Sequence, residues 1–495
     1  MDGVLMGVDI GTSSTKGCLT DLSGRVIRLA ERAHTTAMPR PGWFEHDADE
    51  VWWADFVAVC RELLSTSPAP PAAVGVSGIG PCLLATTAAG RPVRAAILYG
   101  IDTRATAEID ELDRELGAAP LLERGGSPLT SQAIGPKLLW LRRHEPDAWA
   151  RTQRLHMASS YLVQRLTEEY VLDHHSASQC SPMYDLVGRE WAADWAGFVA
   201  PGLQLPRLCW PSDVVGGVTE AAATETGLAP GTPVVAGTID AWAEAVSVEV
   251  RSPGDRMLMY GTTMFLIRVT GEARPSPNLW LTRGVFPDQL TLAAGMATSG
   301  ALTSWFRDLS GRSYDELFEA ATGVPAGAEG LIILPYFAGE RTPLFDPSAR
   351  GVVAGLTLAH GRAQIFRALL EATAFGVRHN LQEMATVGGP PTRVAAVGGG
   401  TRGNTWTQIV SDVCGIDQEV HREAVGASYG DAWLAGVGVG LVAPADSWNP
   451  TVDVVRARPE VTLEYDRLYP LYRQLHTDTV GVVHQLAALS ARTGS

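Results

Sequence analysis

Basic runs and paired cysteines are missing from this sequence. Its 495 residues include 39 Lys and Arg against 54 Asp and Glu, which gives a formal net charge of −15 at pH 7. This balance argues against a nucleic-acid partner and against an anionic membrane surface. The six cysteines are scattered, with no CxxC pair and no zinc-type His/Cys spacing. We therefore expect reduced thiols in a cytoplasmic protein.

A long apolar segment is missing from the N-terminus, because Asp9 and Lys16 interrupt the only early apolar run. We expect neither a signal peptide nor a membrane-spanning segment there. The chain is too long for one hydrophobic core, so at least two domains are expected. The Pro- and Gly-containing stretch at residues 251–255 predicts a boundary between domains at 1–250 and 251–495.

What the sequence does contain, at its start, is a strand, a turn of small residues and a returning strand. Residues 4–8 are apolar and predict a buried strand, and Gly-Thr-Ser-Ser-Thr follows as a tight turn at residues 11–15. Such a turn lets backbone N–H groups and hydroxyls approach a phosphate, and Asp9 at the strand end suits Mg²⁺. An ordinary Asp-Gly hairpin turn would explain one such segment equally well.

A second copy of this pattern lies almost halfway along the chain. Apolar residues 257–260 precede Gly261-Thr262-Thr263, and another apolar strand follows. An internal repeat is stronger evidence for two related domains than either motif alone. The two copies predict two related domains that face each other across a nucleotide.

Two further strand ends carry chemically informative residues. Residues 233–240 are predicted as one strand that ends in Asp240, ahead of a helix; a plain helix N-cap is the alternative role for this carboxylate. Strand 393–397 ends in three glycines at 398–400 before a helix near Thr405, which would let a phosphate or base approach the backbone. The alternation of strands and helices predicts an α/β fold. Residues 339–347 are predicted as a turn-rich surface segment.

These motifs together resemble the FGGY carbohydrate kinases, members of the sugar kinase, Hsp70 and actin ATPase group. The resemblance covers most of the chain, and its most specific part is a C-terminal signature around residues 351–371. A first signature near Lys137 fits only in its second half. The segments that carry the resemblance are residues 9–16, 137–141, 160–167, 236–240, 260–263, 339–343, 351–356, 364–371 and 398–400.

The resemblance implies two duplicated ribonuclease H-like domains around a central cleft, with sugar and catalytic base in the N-terminal half and nucleotide in the C-terminal half. It implies ATP and Mg²⁺ as cofactors and Asp240 as the base that takes the proton from a sugar hydroxyl. Asp9 and Asp240 would lie near the metal. The implied nucleotide-binding residues are Gly11, Thr12, Ser13, Lys16, Gly261, Thr262, Thr263, Gly300, Gly399, Gly400 and Asn404.

The resemblance says less about the substrate. Xylulose kinases carry Met-His, and glycerol kinases Arg-Glu, where this chain has Gly80-Pro81. Asp102 and Arg104 lie in a segment similar to one in pentulose kinases, although a surface salt pair would explain them as well. Gln132 is a further candidate, and it stands where glycerol kinases place a tyrosine. We expect a pentulose, as in xylulose kinases, with ribulose, fuculose, erythritol and glycerol as alternatives.

A different class of function is also open at this stage. A protein of this fold without a sugar site could be a nucleotide-dependent interaction protein or an ATPase only, and Gly80-Pro81 motivates that reading. The presence of Asp240 counts against it, because an ATP clamp does not need a sugar-directed carboxylate. The expected partner is a small sugar or polyol, and the protein could form a homodimer.

Overall fold

Two mixed β-sheets, one in each half of the chain, organise the molecule. The computed structural model describes residues 3–272, 274–389 and 391–493. The strands of the first half are β1 (Val4–Ile10), β2 (Ser14–Asp21), β3 (Val26–Ala33), β4 (Ala37–Arg40), β5 (Trp43–His46), β6 (Pro71–Gly78), β7 (Leu84–Thr86), β8 (Ala96–Ile97), β9 (Arg154–His156), β10 (Val171–Asp173), β11 (Tyr184–Asp185), β12 (Glu190–Trp191), β13 (Arg207–Cys209), β14 (Val214–Gly217), β15 (Pro233–Val235) and β16 (Thr238–Ile239). Its helices are α1 (Ala54–Leu64), α2 (Thr106–Leu116), α3 (Ala118–Gly125), α4 (Ile134–His144), α5 (Pro146–Arg151), α6 (Ala158–Thr167), α7 (His174–Ser178), α8 (Ala193–Val199), α9 (Glu220–Thr226) and α10 (Asp240–Ser247).

The second half has fewer described strands than the first, and it contains the long helices α13 (Arg362–Gly388) and α16 (Pro459–Thr493). Its strands are β17 (Asp255–Tyr260), β18 (Met264–Thr270), β19 (Trp280–Arg283), β20 (Leu290–Met296), β21 (Ile332–Leu334), β22 (Val352–Ala354), β23 (Arg393–Val397), β24 (Gln418–His421) and β25 (Thr451–Val455). Its helices are α11 (Gly300–Ser310), α12 (Tyr314–Thr322), α13 (Arg362–Gly388), α14 (Thr405–Cys414), α15 (Ala427–Gly438) and α16 (Pro459–Thr493).

The two large sheets repeat one topology. The first has the order β14-β15-β6-β1-β2-β3, with β16 also paired to β6, and the second has the order β19-β20-β18-β17-β23-β24-β25. In both, a central strand pairs antiparallel with the next strand in sequence (β1 with β2, β17 with β18) and parallel with a later one (β6, β23). The duplicated α/β fold expected from the two Gly-Thr hairpins is thereby confirmed.

The central strand β1 is buried along its whole length, so both faces of the first sheet must be covered there. Helix α15, from the second half of the sequence, covers one face, and it also packs on α10. The approach is close: a Cβ added at Gly7, Gly75 or Gly430 would lie within 2.0 Å of a backbone oxygen across these contacts. Only glycine fits at these three crossings. The domain boundary at 250/251 stays a prediction, and it assigns α15 to the half whose sheet it does not cover here.

Three local predictions were wrong. Residues 233–240 are two short strands, β15 and β16, because Gly237 turns the backbone with φ 69° where a Cβ would lie 1.9 Å from Val76 O. The Pro and Gly residues between 203 and 226 predict a loop-rich segment, but it contains β13, β14 and α9. The spacing of apolar residues predicts a helix from Ser159 to Tyr170, but the helix ends at Thr167, because Glu168 adopts the left-handed conformation.

Residues 339–347 were also predicted wrongly, since they are not a surface segment. Glu340 and Thr342 are buried, and Thr342 Oγ1 donates to Asn380 Oδ1 of α13 at 2.8 Å. This segment therefore brings Arg341 into the interior.

Helices that could span a membrane are not found in the described ranges.

Candidate active site

A cavity of about 240 Å³ lies between the two halves, where the central strands of the first sheet end. Asp9 ends β1, Gly80-Pro81 follows β6, and Asp240 begins α10 directly after β16. Such carboxyl ends of strands are where ligands bind in open α/β sheets. The lining residues are Asp9, Thr12, Ile79, Gly80, Pro81, Tyr99, Gln132, Gln179, Ile239, Asp240, Ala241, Trp242, Glu244, Met259, Thr263, Phe265, Trp280, Ala293, Arg341 and Ala427.

Three carboxyl groups share one side of this cavity. Burial, and then the charge of Asp9, raise the pKa of Asp240 well above its ordinary value. Burial raises the pKa of Asp9 to about 6, and burial with the Asp9 charge raises the pKa of Glu244 to about 7. Glu244 lies one helical turn after Asp240, so both side chains leave α10 on the same face. A carboxyl with a raised pKa is a stronger base once it is ionised.

Asp240 is the first residue of α10, and Ile239 is the N-cap. One oxygen of Asp240 accepts from the N–H of Ala241 at 2.7 Å. The alternative of a plain N-cap therefore does not describe this residue. Its carboxyl group faces the cavity.

A fourth carboxyl group lies behind the cavity and is linked to Asp9 by a hydroxyl. Ser77 Oγ lies 3.0 Å from Asp9 Oδ1 and 2.6 Å from Asp431 Oδ2 of α15. The pKa of Asp431 is raised well above its ordinary value by burial and by the Asp9 charge. The other Asp431 oxygen is buried without a hydrogen-bond partner among the described residues. Sequence reasoning missed Ser77, Glu244 and Asp431; the i, i+4 spacing from Asp240 could have found Glu244.

The opposite side of the cavity offers two polar side chains without side-chain partners in the described ranges, Arg341 and Gln179. Burial lowers the pKa of Arg341. The neighbouring Glu340 does not pair with the guanidinium, because its carboxylate accepts from the backbone N–H groups of Ala297 and Arg341 at 2.7 and 2.8 Å. Sequence reasoning missed both as site residues: Arg341 lies in the segment 339–343 that carries the resemblance but was assigned to the surface, and Gln179 is the C-cap residue of the short helix α7.

The predicted substrate residues divide into two groups. Gly80, Pro81 and Gln132 line the cavity, and Gln132 Oε1 accepts from Gly100 N at 2.9 Å. Asp102 and Arg104 lie outside the lining. They form an ion pair of 2.7 Å whose side chains are fully buried, so this is not a surface salt pair.

The Asp102–Arg104 pair has a structural environment of its own. Asp102 accepts from Phe44 N at 2.7 Å, and the Arg104 guanidinium lies 4.3 Å from the Trp43 ring centroid. These contacts tie the segment after β8 to β5. A role for the pair in binding substrate stays a prediction.

A second cavity, of about 540 Å³, opens beside the second hairpin. Five predicted nucleotide-binding residues line it: Gly261, Thr262, Gly300, Gly399 and Gly400. Sequence reasoning missed the residues that α11 and α12 contribute, because these helices carry no motif that marks them: Thr303, Ser304, Tyr314, Asp315 and Phe318. It also missed Tyr260, Arg402 and Trp406, which lie beside the predicted glycines.

A third cavity, of about 410 Å³, connects the other two, because it shares Glu244 and Met259 with the first and Gly261 and Gly399 with the second. Predicted Lys16 lines this middle cavity, and Thr12 and Thr263 line the first. Predicted Gly11, Ser13 and Asn404 are not in any of the three linings. The arrangement is one cleft, with a polar and aromatic end, a middle section and a glycine-rich end.

The carboxyl cluster can accept a hard cation. Its donors are carboxylate oxygens, and Lys16 of the middle section lies 3.9 Å from Glu31 on the neighbouring strand. No three His, Cys, Asp or Glu side chains within the described ranges converge enough to hold an ion alone. Mg²⁺ often uses one or two carboxylates together with phosphate oxygens, and Asp9 with Asp240 fits that pattern.

Comparisons with known proteins agree with this geometry. The model "FGGY family of carbohydrate kinases, N-terminal domain" matches residues 4–247, and "FGGY family of carbohydrate kinases, C-terminal domain" matches residues 257–439. A glycerol kinase of Nocardia farcinica is 33% identical over 90% of this chain and 94% of its own. A xylulose kinase of Escherichia coli is 28% identical over 94% of each chain.

Solved structures show the same likeness. The crystal structure of xylulose kinase from Rhodospirillum rubrum is 32% identical, with a TM-score of 0.89 over 97% of this chain and all of that one. A xylulose kinase from Lactobacillus acidophilus, 20% identical with a TM-score of 0.91 over 98% of this chain and all of that one, shares the fold. The fold, the cleft and both family models lead to one conclusion: the chain belongs to the FGGY family of carbohydrate kinases and is a phosphotransferase.

Proposed function

We propose that this carbohydrate kinase transfers the γ-phosphoryl group of ATP to a primary hydroxyl group of a pentulose. The observation that carries the proposal is the position of Asp240 in the lining of a small polar cavity, which continues through a middle cavity to a glycine-lined one. A cavity of about 240 Å³ lies below the roughly 300–1,000 Å³ of pockets for drug-sized ligands, which suits a sugar.

The reaction balances with groups at this site. The Asp240 carboxylate takes the hydroxyl proton while the sugar oxygen forms a bond to the γ-phosphorus, and the bond from that phosphorus to the bridging oxygen of ADP breaks. The raised pKa of Asp240 favours its role as base. When bound, Mg²⁺ would neutralise phosphoryl charge, with Asp9 and Asp240 as its protein ligands.

The choice of a pentulose rests on two supports. The Rhodospirillum rubrum structure that matches along nearly the whole chain is described as a xylulose kinase. Opposite Asp240, the cavity offers Gln132, Gln179 and Arg341 to further oxygens of the substrate, more groups than a three-carbon polyol needs. A glycerol kinase at 33% identity keeps glycerol as the second candidate.

The test is ADP release in a coupled assay across D-xylulose, D- and L-ribulose, L-fuculose, L-rhamnulose, erythritol and glycerol. We expect a ketopentose to have the highest kcat/KM and the Asp240→Ala variant to be inactive with it. A polyol in first place would contradict the pentulose. Hydrolysis of ATP that is independent of sugar and unchanged in Asp240→Asn would favour the ATPase-only alternative. A homodimer and a cytoplasmic location stay predictions.

A further inference from the structure

The segment that follows β3 lies behind the first Gly-Thr turn and bonds to its carbonyl groups. The N–H of His34 donates to Ser13 O at 2.9 Å, and His34 Nε2 lies 3.1 Å from Gly11 O. Thr36 Oγ1 donates to Thr12 O at 2.9 Å. Three consecutive carbonyl groups of the turn are thereby bonded from one direction.

This arrangement determines where the amide hydrogens of the turn point. In a trans peptide the C=O and the following N–H point in opposite directions. The N–H groups of Thr12 and Ser13 therefore face away from His34, and neither has an acceptor within the described ranges. Successive free amides of this kind form a site for a phosphate group.

His34 is itself held from behind by Asp55 of α1. Its Nδ1 lies 2.8 Å from Asp55 Oδ2, and the same oxygen accepts from Thr15 Oγ1 at 3.2 Å. The His34 side chain is only 6% exposed. The path from α1 to the turn is thus a chain of direct hydrogen bonds through one imidazole ring.

Both nitrogens of His34 face oxygens that have no hydrogen to give, a carboxylate and a carbonyl. The two hydrogen bonds require a hydrogen on each nitrogen, which makes the ring an imidazolium. The other titratable groups that face it are His46 of β5, whose ring centre lies 5.0 Å away, and Asp9 of β1, whose pKa the His34 charge lowers.

We infer that His34 is a positioning residue for ATP: braced by Asp55, it holds the first Gly-Thr turn with its amides directed at the phosphate groups. The inference rests on the proposed function only in taking ATP as the ligand of this turn. It assigns His34 no contact with ATP itself.

Two substitutions test separately the two hydrogen bonds that the His34 ring makes, to Asp55 and to Gly11 O. His34→Gln places its amide nitrogen near the position of Nε2 and keeps the donor to Gly11 O. His34→Asn places its amide nitrogen near Nδ1 and keeps only the donor to Asp55. The measurement is calorimetric titration with Mg²⁺ and a non-hydrolysable ATP analogue, which needs no sugar turnover.

For His34→Asn we expect a dissociation constant about tenfold higher, the size expected for a lost hydrogen bond from a charged donor. For His34→Gln we expect a rise of no more than about threefold, and for both an unchanged sugar KM at saturating ATP. Equal losses in the two variants, or none in His34→Asn, would overturn the inference. If both variants fail to fold, Thr36→Val tests the same turn, and unchanged affinity there would overturn it.

Analogue binding in this pattern without phosphorylation of any sugar would contradict the proposed function and leave the role of His34 standing.

Discussion

Asp240 shows at the scale of one residue how neighbours set the chemistry of a carboxyl group. The substitution Asp240→Ala removes an interaction used mainly in the transition state. We therefore expect kcat to fall about 10²–10⁴-fold, the usual size for a lost general base. Affinity for ADP, measured by calorimetry, should remain near that of wild type. A parallel loss of ADP binding would instead indicate a structural role for Asp240.

The direction of the Asp240 pKa also predicts the acid side of the pH–rate profile. The base must be ionised to act, and its pKa is raised, so kcat/KM should fall on acidification at a pH well above the ordinary 3.8. Steady-state rates with saturating ATP between pH 4.5 and 8 measure this. A profile flat down to pH 4.5 would remove Asp240 as the titrating base.

Arg341 is a cation of the first cavity without a side-chain partner among the described residues, and its proposed contact with the sugar predicts a separate kinetic effect. Arg341→Met should raise the sugar KM about 10–100-fold, as when hydrogen bonds from a charged group are lost, with little change in the ATP KM. Arg341→Lys should recover part of the loss. The matched control is Arg91→Met at an exposed position after β7, outside the three cavity linings, which should leave both KM values unchanged; equal effects in the two Met variants would contradict the assignment.

At this scale the sequence predicts residues that stand at the ends of regular elements. Asp9 and Asp240 lie where strands β1 and β16 end, so their place in a ligand site follows from an α/β pattern. Arg341 and Gln179 reach the cavity from irregular backbone, whose path depends on contacts far away in sequence. Gly11 and Asn404 match the family pattern yet lie outside the three linings.

Helix α15 packs on β1 and β6 of the first sheet, and the contact between the two halves depends on it. At Gly75 an added Cβ would lie 2.0 Å from Asp431 O, a contact between backbone atoms that no rotamer change relieves. Gly75→Ala should therefore lower the free energy of unfolding by at least about 1–3 kcal/mol, as overpacking does. Thermal denaturation measures the effect.

The control for this substitution is Gly197→Ala in α8, where an added Cβ meets nothing within 4 Å. Because Ala favours a helix over Gly by roughly 0.5–1 kcal/mol, this variant should be as stable as wild type or more so. Comparable losses in the two proteins would show that the close approach of α15 is not what limits stability.

Among the elements, hydrophobic periodicity was enough to find β1, β17 and β23. It failed at β15 and β16, where a single glycine bends the chain away from Val76, because a bend forced by a neighbouring strand leaves no local signal. It also failed for residues 339–347, whose polar composition is typical of surface turns although Glu340 and Thr342 are buried.

For the whole molecule, the carboxyl cluster opposes stability when it is ionised. The folded-state pKa of Glu244 is raised from 4.5 to about 7. The stability that the bound proton gives the folded state is therefore fully present below pH 4.5 and is lost as the pH rises through about 7. Glu244→Gln should raise Tm by a few degrees at pH 8 and by less at pH 5. Exposed Glu319→Gln is the control, and an equal change at both pH values would contradict the prediction.

The duplicated architecture could be predicted because each half begins with the same hairpin. The return of α15 to the first sheet could not, since no local pattern states which of two similar sheets a helix covers. The close packing of α15 on Gly7 and Gly75 determines which sheet the helix covers. This packing joins residues that are far apart in the sequence, so no local pattern shows it.

The three cavities of the cleft share their walls, and this has a consequence for inhibition. A single molecule that joins a sugar through its phosphate-accepting oxygen to a polyphosphate and adenosine would fill all of them at once. Tethering makes the second binding event intramolecular, so such a compound would bind more tightly than either half alone. Gly80-Pro81 and Arg341 line the first cavity. If the sugar binds there as proposed, the same compound would discriminate this enzyme from relatives that carry other side chains at these positions.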